Sequence, residues 1–332
     1  MNRDCVQSSS VLDRVLVLEM VRVTEAAAIA ASKLIGRGDE KAADAAAVEA
    51  MRAELNKLPM DGTVVIGEGE RDEAPMLYIG EKVGAAQDGG PKIDIALDPL
   101  EGTSITAKGG ANALAVLAIA ESGCLLNAPD VYMDKIAVGP GYSEGVIDLT
   151  KPVADNIRSL AREKGVEPNE IIACVLDRPR HDAIIAELRE LGCGITLIGD
   201  GDVAGVMSTA DPDTDIDIYI GSGGAPEGVL AAAALRCVGG QILGRLTFRN
   251  DDEVARARRW GIDDLDRVYT TREMAKGDCI FAATGVTHGS LLKGVHRRKD
   301  CLTTESLVMR ASSGTVRRVF TEHYKLGSRR SL

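Results

Sequence analysis

The chain has 332 residues, 45% of them apolar, enough to fill a real core in two compact units or one large α/β body. A formal charge of −11 sets the average surface against nucleic acid and anionic lipid, so an anionic ligand has to be met by a local cluster of cations or by metal. The cysteines are scattered without a C-x-x-C pair, which points to reduced thiols rather than a disulfide framework, and Phe and Trp are too few for base-stacking platforms.

Near the start, Arg3, Asp4, Asp13, Arg14, Glu19, Arg22 and Glu25 interrupt any apolar stretch long enough for a signal peptide or a membrane span, so a cytoplasmic protein without a membrane partner is expected. Leu12, Leu16, Met20, Val23, Ala27, Ala30 and Leu34 recur at steps of four and three, one stripe of a long helix ended by Gly36 and Gly38. In a second helix Val48, Met51, Leu55 and Leu58 form the buried stripe. Asp44 lies one turn earlier on that face, where a carboxylate needs a partner.

Strands are predicted over 63–66 and 93–97, and each delivers a carboxylate at its C-terminal end, Glu68 after the first and Asp98 after the second. Residues 113–120 read as a buried strand, and the Gly/Pro-rich run 138–145 marks a boundary. The chain is therefore divided into an N-terminal α+β half, 1–150, and a C-terminal α/β half, 151–332. In the second half, strands at 171–176, 195–198 and 216–220 alternate with helices near 182–191, from Val203, and over 226–237. That alternation predicts a parallel sheet covered by helices, with ligands gathered beyond the carboxyl ends of its strands. Those ends carry Asp177, Arg178 and Arg180, then Asp200 and Asp202, then the glycine-rich run 221–227.

The strongest local feature is Asp98-Pro99-Leu100-Glu101-Gly102-Thr103. Two carboxylates three apart around a turn can share a divalent cation, with a hydroxyl beside them. Taken alone it reads equally well as an ordinary acidic turn. Glu68, Glu70, Asp72 and Glu73 crowd a glycine-containing strand end, and like charges this dense repel unless a cation neutralises them. Together with Asp98, Glu101 and the inward Asp44, a site for several oxygen-ligated metals, Mg²⁺ or Mn²⁺, becomes the better account.

Arg178 and Arg180 suit bidentate phosphate contacts. Asp200-Gly201-Asp202 and the run 223–228 are ambiguous turns, raised by their shared edge of the sheet. The run 141–145 fits G-x-S-x-G without a strand-to-helix elbow, no G-x-x-x-x-G-K-[ST] exists, and the histidines lack metal-ligand spacing. A haloacid-dehalogenase-type nucleophile fits poorly, because Asp98 stands one residue too far ahead of Gly102 for D-x-D-G-T.

Taken in order, Gly67-Glu68-Gly69-Glu70 with Asp72-Glu73-Ala74-Pro75, the segment from Asp98 to Thr103, Asn127-Ala128-Pro129-Asp130, Pro179-Arg180-His181-Asp182, Asp200-Gly201-Asp202-Val203 and Gly223-Gly224-Ala225-Pro226-Glu227-Gly228 resemble the class II fructose-1,6-bisphosphatases. The likeness spans roughly 23–324. It implies the layered α/β/α/β/α sugar-phosphatase fold of the lithium-sensitive phosphatases and hydrolysis of fructose 1,6-bisphosphate in gluconeogenesis. It also implies a homo-oligomer, dimer or tetramer, with sedoheptulose 1,7-bisphosphate accepted by some relatives.

By that resemblance Asp44, Glu68, Asp98, Glu101 and Glu227 are ligands for Mn²⁺ or Mg²⁺, and Asp72 and Thr103 act on the attacking water. Glu101, Gly102, Thr103, Tyr132, Arg178, Pro179, Arg180, Asp200, Gly201, Asp202 and Gly224 bind the substrate. Glu40 stands where some members have lysine, with Lys41 beside it. The rival reading, a non-catalytic sugar-phosphate-binding regulator, has no need of five metal carboxylates.

Overall fold

The computed structural model describes Leu12 and residues 16–69, 75–87 and 89–324. The helices are α1 (Leu16–Ser32), α2 (Glu40–Leu55), α3 (Thr103–Lys108), α4 (Val153–Lys164), α5 (Asp182–Glu190), α6 (Asp202–Ser208), α7 (Ala225–Val238), α8 (Asp251–Arg259) and α9 (Thr271–Met274). The strands are β1 (Asp61–Ile66), β2 (Lys82–Val83), β3 (Lys92–Glu101), β4 (Leu114–Glu121), β5 (Tyr132–Val138), β6 (Ile172–Leu176), β7 (Gly194–Ile198), β8 (Ile218–Gly224), β9 (Gln241–Thr247), β10 (Val268–Thr270), β11 (Cys279–Gly285), β12 (His296–Arg297), β13 (Cys301–Arg310) and β14 (Thr315–Tyr324).

They form two sheets, an eight-stranded one ordered β12-β13-β11-β4-β3-β1-β2 with β14 on β13, and a six-stranded one ordered β10-β9-β5-β8-β6-β7. Strand β4 shows why the first sheet is covered on both sides. Its residues alternate in direction, so Ala115, Leu117 and Ile119 pack with α1 and α2, while Val116, Ala118 and Ala120 join the core on the opposite face. That second core contains α7, whose run of alanines is buried nearly all round. Such an all-apolar helix belongs between two sheets, and α7 indeed touches both. On the far side of the six-stranded sheet, Ile157, Leu160, Ile185 and Leu188 of α4 and α5 pack against Ile136, Val175 and Ile218. The layer order is α/β/α/β/α, as the resemblance implies.

The six-stranded sheet departs from the expected parallel one. Only β7, β6 and β8 run parallel, whereas β5, β9 and β10 are antiparallel. The cause is the crossing of the chain between sheets. Strand β5, from the first half of the sequence, lies at the centre of the second sheet, and β11 to β14, from the second half, complete the first. A division at residue 150 therefore cuts through both sheets rather than passing between them.

Candidate active site

Strands β1 and β3 run parallel and adjacent, so their C-terminal ends bring Glu68 and Asp98 to one edge. The register of β3 against β4 breaks between Asp98 and Glu101, a bulge that re-aims side chains where pairing ends. The Leu100 N–H donates to Asp98 Oδ1 at 3.0 Å and fixes that turn. Gly102, at φ 90°, then passes the chain into α3, with Thr103 as its first residue. The second sheet contributes from its carboxyl ends. Strand β7 leads to Asp200, Gly201 and the start of α6, and β8 leads through Gly224 straight into α7, with Glu227 in the first turn. A Cβ at Gly224 would collide with the Glu227 carboxylate, so glycine there lets that side chain fold back under the strand end.

These ends meet around a cavity lined by Asp44, Glu68, Asp98, Glu101, Gly102, Thr103, Asp130, Asp200, Gly201, Asp202, Pro226 and Glu227. Glu101 is 4% exposed, and its Oε1 accepts the Val203 N–H at 2.6 Å, which ties β3 to α6. Its Oε2 and the Oε2 of Glu227 are buried without a hydrogen-bond partner. Burial first, then the charges of Asp44 and Glu227, pushes Glu68 up to about 8. Burial and Asp202 push Glu227 up to about 7, against the pull of Lys135. Asp98 and Glu101 lie well above the ordinary carboxylate range, again through burial and then neighbouring carboxylates, and burial raises Asp44.

Carboxylates this close, with bare oxygens turned inward, are the donor set that a hard divalent cation takes. Among the described residues no three His, Cys, Asp or Glu side chains already converge into a tight cage; the acids ring the cavity instead. Asp72 lies outside the described residues.

Tyr132, Arg178, Pro179 and Arg180 are not part of that lining and form a cationic rim beside it. The Arg180 guanidinium sits 5.1 Å from the centre of the Tyr132 ring, and its Nε donates to the Ser222 carbonyl at 2.9 Å. Arg249, which the sequence reading missed, also lies 5.1 Å from that ring. Burial raises Asp200, while its bond from the Gly201 N–H and the Arg178 charge pull it back. His181 is structural: Ser222 N–H donates to its Nε2 at 2.8 Å, so Nδ1 carries the proton and donates to the Leu176 carbonyl at 2.8 Å. Burial lowers its pKa.

Lys135 is a second residue the sequence reading missed. It is 1% exposed, its Nζ is paired with Asp202 Oδ2, and it donates to the Gly224 carbonyl at 2.9 Å. Asp202 therefore faces the cavity with one oxygen already engaged. The signal was available: in β5, Met133, Lys135 and Ala137 share the core-facing parity, and a lysine there requires an acidic partner. Asp130, the last residue of the Asn127-Ala128-Pro129-Asp130 motif in the loop before β5, also lines the cavity, though no site role was expected of it.

Acidic strand ends from two sheets, bordered by arginines on one rim of a layered α/β body, set donors for a hard cation beside groups that suit an anion. The family model described as bacterial fructose-1,6-bisphosphatase, glpX-encoded, matches residues 14–323. The chain is 50% identical over 325 residues to fructose-1,6-bisphosphatase 1 class 2 of Escherichia coli strain K12, covering 94% of this chain and 96% of that one. The class 2 enzyme of Shigella flexneri matches equally, at 50% over 325 residues with 94% and 96% covered. The chain belongs to the class 2 fructose-1,6-bisphosphatase family. Among solved structures, an inositol monophosphatase from Anabaena (Nostoc) sp. PCC 7120 aligns with TM-score 0.31 and 14% identity over 59% of this chain and 72% of that one. Among the described residues no helix is long and apolar enough to cross a membrane.

Proposed function

We propose that the protein removes the 1-phosphate of fructose 1,6-bisphosphate, giving fructose 6-phosphate and inorganic phosphate, as a Mn²⁺- or Mg²⁺-dependent enzyme of gluconeogenesis in the cytoplasm. The observation that carries this reading is the ring of Asp44, Glu68, Asp98, Glu101 and Glu227 around one cavity, with two buried carboxylate oxygens lacking any partner. Those five side chains would hold the metal. Bound there, a divalent cation supplies neutralising charge to the phosphoryl oxygens and the departing alkoxide, and acidifies water.

The protein's own groups do the positioning. Thr103, at the first position of α3 and on the cavity wall, orients the attacking water in line with phosphorus, and Asp72 takes its proton. The water oxygen bonds to phosphorus as the bond between phosphorus and the sugar oxygen breaks; the departing oxygen takes a proton from solvent water, and Asp72 returns its proton to solvent. The unreacted phosphate rests on Arg178 and Arg180 beside Tyr132 and Pro179. Asp200, Gly201, Asp202 and Gly224 meet the sugar hydroxyls. The relatives' names support the substrate, and the separation of an acidic cavity from a cationic rim supports this division of labour.

Phosphate release from fructose 1,6-bisphosphate, measured after chelation and again after adding Mn²⁺ or Mg²⁺, tests the reading. Activity should vanish and return. Turnover persisting in metal-free protein refutes the metal's role, and binding without turnover under either metal refutes catalysis.

A further inference from the structure

Strand β14 pairs with β13 along its whole length and closes one edge of the eight-stranded sheet. Among the described strands nothing pairs with its outer side. Long edge strands with apolar faces invite pairing with another chain and are normally blunted. Here the even-numbered residues form one exposed face, with Val316 at 51%, Phe320 at 59% and Tyr324 at 42% exposure, and with Arg318 and Glu322 between them. The other large apolar side chains exposed among the described residues, Leu18 and Leu197, stand elsewhere.

The order of this face is a palindrome. Reversed about Phe320, an antiparallel copy sets Val316 opposite Tyr324, Arg318 opposite Glu322, and Phe320 opposite itself. On the other face Val319 meets Thr321, and Arg317 meets His323, whose Nε2 lies 2.9 Å from Thr304 Oγ1. Sliding the copy by two residues either way sets Phe320 against a charged side chain and breaks both ion pairs. Directly opposed apolar and opposite-charge pairs are what stabilise antiparallel strands and fix their register.

We propose that β14 pairs antiparallel with β14 of a second copy of this chain about a twofold axis at Phe320, joining two eight-stranded sheets into one. The axis is perpendicular to the sheet, so both copies turn the same face inward. Val316 and Arg318 also line an apolar groove with Met207, Leu235, Leu307 and Met309, and the second copy's Tyr324 extends its floor. This interface is independent of the reaction assigned above, because no residue of β14 lines the acidic cavity.

Sedimentation of the full-length protein at micromolar concentrations should give a dimer or a multiple of one. Phe320→Arg opposes like charges at the axis and should raise the dissociation constant about tenfold or more, with circular dichroism and turnover unchanged. Arg318→Glu and Glu322→Arg should each weaken self-association, yet the two variants mixed should associate with each other, since every opposed pair is then Arg with Glu. That complementation also separates pairing from the local bonds of Arg318 to Asp211 and the Leu291 carbonyl, and from those that Glu322 accepts from Arg298 and Tyr324, with Arg298 over the Phe320 ring, because mixing the variants restores none of them. A monomeric wild type, a dimer indifferent to Phe320→Arg, or a mixture that fails to associate overturns the proposal.

Discussion

Replacing Glu68 by glutamine keeps the shape of the side chain and removes its charge, and in metal-free protein this should be stabilising at alkaline pH. The folded-state pKa is raised from 4.5 to about 8, by burial first and then by Asp44 and Glu227. A carboxyl group whose folded pKa is raised contributes stability that is fully present below about pH 4.5 and lost as pH climbs through about 8. At ~1.4 kcal/mol per pH unit the span sets an upper bound near 5 kcal/mol. Glu68 keeps some contact with the open cavity, and screening by that water brings the expected effect to on the order of 2 kcal/mol.

For a chain of this length that corresponds to about 3 °C in melting temperature. Calorimetry of chelator-treated wild type and Glu68→Gln between pH 5 and 8 should show wild type losing stability across the window and the variant losing less, so that the variant is the more stable at pH 8. Divalent metal should restore wild type alone, because ligation takes the ionised carboxylate. Parallel pH profiles, or a variant less stable at pH 8, would refute the reasoning that mutual repulsion is stored in this cavity.

Thr103→Ala should lower kcat about a hundredfold or more with KM little changed, since the hydroxyl acts on water rather than on the sugar; a KM effect of equal size moves Thr103 to substrate binding. Arg180→Ala should raise KM for the bisphosphate about ten- to a hundredfold, the worth of a charge-assisted bond to phosphate, and barely alter a monophosphate. Equal losses for both would remove Arg180 from the distal phosphate. Lys135→Met strands Asp202 as a buried charge and should cost about 3–5 kcal/mol in urea denaturation, with Asp202→Asn in the same chain recovering part of it. A loss below about 1 kcal/mol, the range of an exposed pair, would show that water reaches the pair.

The elements that line the acidic cavity were legible because their signals are local. The stripe ending in Val48, Met51 and Leu55 sets the inward direction of Asp44, since a helix repeats every 3.6 residues whatever it packs against. Glycines and prolines after apolar runs mark the strand ends at Glu68, Asp98, Asp200 and Gly224. Tertiary structure alone decided which sheet each strand joined, and so moved β5 into the second sheet and returned β11 to β14 to the first. It also decided that Lys135 reaches Asp202 across 67 positions of sequence, that Arg249 comes to lie on Tyr132, and that one oxygen each of Glu101 and Glu227 stays bare. Periodicity fixes the direction in which a side chain points from its own helix or strand; the partner it meets depends on how distant segments stack, and that is set by the packing of α7 between two sheets rather than by any run of neighbouring residues.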